Sequence, residues 1–269
     1  MTLLFWNSAK RENSSALRNL IRHHDVDILL LAECGASPET IRRSLNFEGS
    51  SLFLYFPGNC EKVQIFSRFP PGSITPVYES DRWTVRSISP PVGRDFLLAS
   101  VHFPSKREWS HDSQLLECNS LSTSLCEAEA NAGHSRTILL GDLNMNPFEA
   151  GVVGSRGLHA TLSRKIAEKR GRKVQGKDYP FFYNPMWGRY GDSTKGPAGS
   201  YYHRRAEHVC YFWNFFDQCL VRPDLLYAFE ESRMRILTTD GMAPLVSKSK
   251  GIPDIAISDH LPILVDLTP

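Results

Sequence analysis

Short apolar runs separated by polar breaks dominate the first hundred residues, and most of these runs are strand-sized. Leu3 to Trp6 predicts a strand with Asn7 at its end. Asp25 to Ala32 is apolar on both faces, which predicts a central strand, and it ends at Glu33. Between them, Ser14 or Ser15 is placed to cap a helix reaching about His23, with Leu17, Leu20 and Ile21 on one face. Ser37 followed by Pro38 predicts a second helix, to about Leu45. Ser51 to Phe56, Val63 to Ser67, Trp83 to Ser89 and Phe96 to Val101 predict short strands, with His102 closing the last. Gly and Pro separate these runs, and together they read as an antiparallel meander.

A helical pattern follows from about Trp109 to Ala132, with Leu115, Leu116, Leu121 and Leu125. Thr137 to Leu140 then predicts a buried strand ended by Gly141, with Asp142 and Asn144 behind it. Residues two apart in extended backbone point to one side, so this carboxylate and carboxamide are expected to project together. A carboxylate can orient or deprotonate a water, and a carboxamide can donate an N–H to an oxyanion. Arg164 to Lys177 reads as the end of a helix running into a basic, Gly-interrupted loop, and Pro180 to Ser200 as a structured aromatic surface loop. Tyr201-Tyr202 predicts a short strand, Val209 to Phe216 leads to Asp217, and Arg233 to Thr238 predicts a further strand. Ser247 to Asp254 is polar, and Ser258-Asp259-His260 precedes a last strand, Leu261 to Leu267.

No repeat or linker divides the chain, so residues 1–269 are expected to form one α/β domain of two packed sheets with helices outside. Composition adds little: 41% hydrophobic and 22% charged residues are ordinary for a globular chain. A net charge of +2 is too small to mark a nucleic-acid binder by itself. The six cysteines form no C-x-x-C pair, which argues against a zinc or redox motif and fits reduced thiols. No apolar run is long enough for a signal peptide or a membrane span, so a cytoplasmic protein without a membrane partner is expected.

The polar residues at strand boundaries carry the chemistry: Asn7, Glu33, His102, Asp142, Asn144, Asp217, Asp259 and His260. They combine hard oxygen ligands suited to Mg²⁺ or Mn²⁺ with two histidines and carboxylates able to orient them. That is a toolkit for hydrolysing phosphoesters. Each has a plainer reading as a cap, turn or surface residue, and Asp142 and His260 are the last to be given up.

Taken in order, Phe5-Trp-Asn7, Leu31-Ala-Glu33, Ser100-Val-His102, Leu140-Gly-Asp-Leu-Asn144, Phe216-Asp217 and Ile257-Ser-Asp-His-Leu-Pro262 resemble the endonuclease/exonuclease/phosphatase superfamily over nearly the whole chain. The resemblance implies a DNase I-like, four-layer α/β (α+β) sandwich: two packed mixed or antiparallel sheets flanked by helices. It implies Glu33 as main metal ligand with Asn7 and Asp259 nearby, Asp142 on the attacking water, Asn144 on a phosphate oxygen, and His260, oriented by Asp217, on the scissile phosphate. His102 would be a second phosphate-facing histidine. Whether Asp142 or His260 is the base stays open at this level.

The expected function is a Mg²⁺- or Mn²⁺-dependent nuclease cleaving DNA phosphodiester bonds. A phosphatase for a small phosphoester is the alternative, and a non-catalytic nucleic-acid-binding module a weaker one. The chain has Asn214-Phe-Phe-Asp-Gln218 where inositol 5-phosphatases carry Trp-Cys-Asp-Arg, which counts against that branch. Trp187, Tyr201, Arg170, Arg172 and Lys173 mix ring faces with cations and are the candidates for substrate binding.

Overall fold

The computed structural model describes residues 1–47, 52–191, 196–206 and 208–268. Two mixed sheets carry the fold. The first runs in the order Phe229–Ile236, Ile263–Leu267, Thr2–Asn7, Ile28–Ala32, Val63–Ser67, Leu54–Tyr55. The second runs Ile74–Glu79, Trp83–Ile88, Phe96–His102, Thr137–Asp142, Asp217–Val221, Phe182–Tyr183, Ala160–Thr161. Each sheet is built around a central parallel pair joined by a helical crossover, and the second has a further parallel pair, Ala160–Thr161 with Phe182–Tyr183, at its far edge. Thr2–Asn7 lies parallel to Ile28–Ala32 through helix Ser14–His23, and Phe96–His102 lies parallel to Thr137–Asp142 through helix His111–Ala132.

Strand alternation makes the layers. Ile138 and Leu140 point into the core shared with the first sheet, which also receives Leu98, Cys219 and Val221. Leu97, Ala99, Val101, Leu139 and Leu220 point the other way and pack on Cys118, Leu121 and Leu125 of helix His111–Ala132. Leu17, Leu20 and Ile21 of the first helix and Ile41 and Leu45 of helix Pro38–Leu45 cover the first sheet. The strands at the junction are apolar on both faces because both faces are covered. Helix, sheet, sheet and helix give the four-layer α+β sandwich expected from the sequence.

Several local expectations change. The four early runs are not one meander. Leu54–Tyr55 and Val63–Ser67 belong to the first sheet, while Trp83–Ile88 and Phe96–His102 belong to the second. Ile74–Glu79, missed between them, opens the second sheet; Pro76 sits on this edge strand, where a missing N–H costs nothing. Ser51, where the first of these runs was expected to start, lies outside the described residues. Helix Pro38–Leu45 is capped by Ser37, whose Oγ accepts from Thr40 N at 3.2 Å. Helix Ser14–His23 has no side-chain cap, and Asn13 instead donates through Nδ2 to Ile257 O at 2.9 Å.

The basic stretch is not a loop. Arg164–Ala167 is a single helical turn, and Gly171–Val174 pairs with Lys177–Pro180 as a hairpin turned by Gln175 (φ 47°) and Gly176 (φ 81°). Within Pro180 to Ser200, Phe182–Tyr183 joins the second sheet and Pro185–Arg189 forms a 3₁₀ turn; residues 192–195 lie outside the described residues.

Candidate active site

The carboxyl ends of the two central parallel pairs meet at one edge of the sandwich. Asn7 ends its strand, and its Nδ2 donates to Asp142 Oδ2 at 3.0 Å across the inter-sheet boundary. The register places His102 beside Asp142 on one side and Asp217 beside it on the other. Gly141 permits that approach, since a Cβ there would stand 2.3 Å from Val101 O. The Ser258–His260 turn is tied on from the first sheet: Ser258 Oγ donates to Asn7 O at 2.8 Å and accepts from His260 N at 3.0 Å. Trp6 Nε1 donates to His260 O at 3.0 Å, fixing the backbone that carries the imidazole.

Asp142 is buried and accepts three N–H bonds, the first from Asn7. Asn144 N reaches Oδ1 at 2.8 Å, and Asn144 Nδ2 reaches Oδ2 at 3.2 Å. Burial and the neighbouring Asp217 charge raise its proton affinity, against the charges of His260 and His102 and the Asn144 N–H. His260 Nδ1 lies 2.8 Å from Asp217 Oδ2. Burial alone would lower the His260 pKa, but the Asp217 charge and hydrogen bond, with the Asp142 and Asp259 charges, raise it to about 10. The other oxygen of Asp217, Oδ1, is buried without a hydrogen bond.

Across the opening, Glu33 Oε1 lies 3.2 Å from His102 Nε2. The His102 hydrogen bond is the largest influence on Glu33; with the His102 charge, a bond from Asn7 and the His260 charge it outweighs burial and lowers the pKa to about 2. Glu33 has a left-handed backbone (φ 46°), and its carbonyl accepts from Lys10 N at 2.7 Å and Ser8 Oγ at 2.9 Å. Strain of about 1–3 kcal/mol is usual for such a residue, and these bonds hold the chain there. Asp259 is 40% exposed, with His260 Nε2 4.0 Å away.

These groups open onto a cleft of about 660 Å³ lined by Glu33, His102, Asp142, Asn144, Tyr201, Asp259 and His260. Lys10, Lys62, Arg82 and Arg107 line it as well. Arg82 is committed to Glu117, at 3.5 Å, and to the Trp109 ring. Among the described residues the other three cations form no ion pair. Sequence reasoning missed all four; the available signal was position, since Lys10 follows Asn7 by three residues and Arg107 follows His102 by five. It also missed Gln114, a buried polar residue on the long helix whose Nε2 donates to Pro104 O and Asn144 O.

Three site expectations need correction. Asp142 and Asn144 are not two alternating strand residues: Asn144 has φ 50°, and an Asx turn closed by Asn144 N on Asp142 brings them together. Both Asn144 amide protons are spent in this structure, on Phe103 O at 2.8 Å and on Asp142, so at the cleft wall its carboxamide braces the aspartate. Asn7 likewise is buried, with Nδ2 on Asp142, Oδ1 accepting from Ala9 N at 3.0 Å and a further bond to Glu33, so it braces both carboxylates from beneath.

The structure brings Tyr201 to the cleft wall but not Trp187, Arg170, Arg172 or Lys173. Trp187 packs against Phe148 and Tyr190 beneath the site. The basic hairpin hangs from the opposite end of the second sheet, where Arg222 Nη1 donates to Pro180 O and Phe181 O. Four residue steps of strand, about 13 Å at the usual rise, separate that end from Asp142. Arg170 pairs with Asp224 at 2.7 Å, Arg172 donates to His159 Nε2 at 2.9 Å, and Lys173 lies 4.0 Å from Asp178.

Two carboxylate sets could hold a cation. Single ligand atoms of Asp142, Asp217 and His260 lie within 4.8 Å of one another. Asp217 Oδ1 is open there, but Asp142 already accepts three N–H bonds and His260 Nδ1 is held on Asp217 Oδ2, so this set offers few open ligand positions. Glu33 and Asp259 fit better: both are partly exposed carboxylates facing the cleft, and the Glu33 carboxylate is held ionised. Among the described residues no helix is long and apolar enough to cross a membrane.

The sequence profile described as "Endonuclease/Exonuclease/phosphatase family" matches residues 4–260. Among solved structures, an endonuclease/exonuclease/phosphatase family protein from Bacteroides thetaiotaomicron is similar with a TM-score of 0.61 at 13% identity, over 99% of this chain and 94% of that one. An AP endonuclease from Archaeoglobus fulgidus gives 0.59 at 13% identity, over 100% of both chains. D. rerio TDP2 complexed with single-strand DNA product gives 0.57 at 15% identity, over 100% of this chain and 99% of that one. At such identities the likeness speaks for the fold alone. Comparison with curated protein sequences found no match.

Proposed function

The chain belongs to the endonuclease/exonuclease/phosphatase family, whose members are phosphoric ester hydrolases, and from its site we propose that it is a divalent-metal-dependent phosphodiesterase that cleaves nucleic acid, DNA foremost. One observation carries the reading: a buried Asp217–His260 pair and an anchored Asp142 stand across one cleft from an ionised Glu33. The AP endonuclease and the DNA-complexed protein among the structural relatives support nucleic acid as substrate.

In this reading Glu33 and Asp259 would hold Mg²⁺ or Mn²⁺, whose chemistry when bound is to offset charge on the phosphate and the leaving oxygen. Asn7 and the Asn144 turn hold Asp142 so that its carboxylate can orient a water for in-line attack and take its proton. Raised proton affinity suits that task, because a carboxylate kept at its ordinary pKa is a weaker base. His260 carries a proton on Nε2 near neutral pH, and Asp217 fixes its ring with Nδ1 occupied. It therefore donates to a phosphate oxygen as negative charge grows there. His102 keeps the Glu33 carboxylate turned into the cleft. Lys10, Lys62 and Arg107 supply positive charge for flanking phosphates.

The test is direct. Purified protein is incubated with linear duplex DNA, single-stranded DNA, RNA and inositol phosphates, with Mg²⁺, Mn²⁺ or EDTA. Metal-dependent cleavage of a nucleic acid, DNA above the others, is expected. Hydrolysis of the inositol phosphates only, or full activity in excess EDTA, would overturn the proposal.

A further inference from the structure

The parallel ladder between Phe96–His102 and Thr137–Asp142 ends at His102 and Asp142, where the two chains part to open the cleft. Two bonds still join them just beyond it. Phe103 N donates to Asp142 O at 2.9 Å, and Asn144 Nδ2 donates to Phe103 O at 2.8 Å. The backbone cannot supply the next rung: Pro104 has no N–H, and the left-handed Asn144 turns its chain away. Gln114 supplies it instead. Its Nε2 donates one proton to Pro104 O at 3.1 Å and the other to Asn144 O at 3.2 Å. Among the described residues neither carbonyl accepts any other bond.

Gln114 is wholly buried in the first turn of helix His111–Ala132. Ser110 caps that turn, its Oγ accepting from Ser113 N at 3.2 Å, and Gln114 N donates to Ser110 O at 3.0 Å. The start of the helix thus fixes where the carboxamide stands. Its orientation is fixed too, because an amide turned over would aim its oxygen at two carbonyl oxygens. In the observed orientation Oε1 is buried without a hydrogen bond, which a methionine of similar size would avoid. The side chain therefore serves through its two donors. They join the two arms of the site: the turn that aims Asp142, and the chain that leaves His102 for Arg107 on the cleft wall.

Resting on the phosphodiesterase reading, we propose that Gln114 is a positioning residue for the attack: its carboxamide holds the Asp142 turn and the His102 chain at one spacing, so that the Asp142 carboxylate stays aimed at the cleft. Gln114 itself does not line the cleft. Glu33 and Asp259 are carried by the first sheet and its connections, so loss of the Gln114 bonds leaves them in place. Lys106, bonded to Glu149, still joins the two chains further out, since Glu149 Oε1 also accepts from Asn146 N at 2.8 Å. Removing the carboxamide therefore loosens the turn without releasing it. A displacement of about 1 Å at a reacting group lowers the rate by on the order of 10²-fold.

The test sets positioning against plain stability. Gln114→Met removes both donors at nearly constant volume, and Leu121→Ala, a buried truncation on the same helix, is the control for lost stability alone. On an oligonucleotide with saturating Mg²⁺ or Mn²⁺, Gln114→Met should lower kcat by about 10- to 100-fold. KM and the metal affinity from calorimetry should stay within about threefold, since the change acts on the attack and not on binding. Leu121→Ala, assayed well below its unfolding temperature, should keep kcat within about twofold. Exchange of the Phe103 and Asn144 amide protons, followed by NMR relative to Leu139 in the strand core, should quicken at least about tenfold in Gln114→Met and not in Leu121→Ala. Gln114→His can offer one of the two carbonyls an N–H; it should lower kcat by at least about threefold, and it decides if Gln114→Met fails to fold. Unchanged kcat in the folded variants, an equal fall in Leu121→Ala, or unchanged exchange would overturn the inference. Wild-type protein that cleaves no oligonucleotide with either metal would instead sink the phosphodiesterase reading, and the exchange comparison would then decide by itself whether Gln114 fixes the turn.

Discussion

The closed and open halves of the site use the same residue types to opposite ends. In the closed half Asp142 and Asp217 are almost wholly buried, and burial drives the Asp142 pKa up. In the open half Glu33, about a third exposed, is drawn down to about 2 by the adjoining His102. Burial raises a carboxylate's proton affinity unless a donor or cation overrides it, and whichever effect is larger sets the task each group can perform. The closed half is therefore suited to moving a proton and the open half to holding a cation.

The largest expected effect falls in the closed half. Asp142→Asn replaces an acceptor of three N–H bonds by a group with one acceptor oxygen, setting donor against donor at Asn7 and Asn144. Activity should fall by about 10²–10⁴-fold, and stability by roughly 1–3 kcal/mol for the unsatisfied groups. Steady-state kinetics and urea unfolding check the two together. Near-wild-type cleavage by this variant would show that the closed half is only structural.

Next comes Glu33→Gln, which should separate the halves. Metal affinity measured by calorimetry should drop at least about tenfold, with activity following it. Stability at neutral pH should change by less than about 1 kcal/mol, because a partly exposed ion pair contributes little. Unchanged Mg²⁺ and Mn²⁺ affinity would move the cation away from the open half.

The two halves should also fail at opposite ends of the pH scale. His260 is raised from 6.5 to about 10 on folding, so its contribution is complete below about pH 6.5 and lost as pH rises through 10. Glu33 is lowered from 4.5 to about 2, so its contribution is complete above about pH 4.5 and lost as pH falls through 2. Asp217→Asn should therefore flatten the alkaline loss of stability, and Glu33→Gln the acid one, in denaturation midpoints taken from pH 3 to 10. The same slopes in wild type and variants would mean that neither group is linked to folding.

The smallest effect concerns the remote hairpin. Arg172→Gln with Lys173→Gln should leave nucleic-acid affinity within about twofold and the salt slope unchanged. Lys10→Gln with Lys62→Gln should lower that slope by roughly 0.7–0.9 per lost phosphate contact. A flatter slope from the hairpin variant would restore that surface as a binding arm.

The sequence by itself determined a good deal. Its apolar runs set the central strands, since short two-sided apolar runs such as Ile28–Ala32 and Thr137–Leu140, too short for a buried helix, suit a strand covered on both faces. The order of polar residues at the ends of those strands marked the family and the chemistry, because strand ends are where a polar group can reach a cleft. What the tertiary structure alone decided was which of those groups face outward. Asn7 and Asn144 carry the residue type of ligands, yet contact across the two sheets turns Asn7, and a local Asx turn turns Asn144, onto Asp142. A basic run reads the same at either end of a strand. Its place opposite the cleft follows from Phe182–Tyr183 running antiparallel to Asp217–Val221. Lys10, Lys62 and Arg107 are brought together from different loops only by that packing. Periodicity reports whether a side chain is covered, but what covers it is set by contacts between residues distant in the chain.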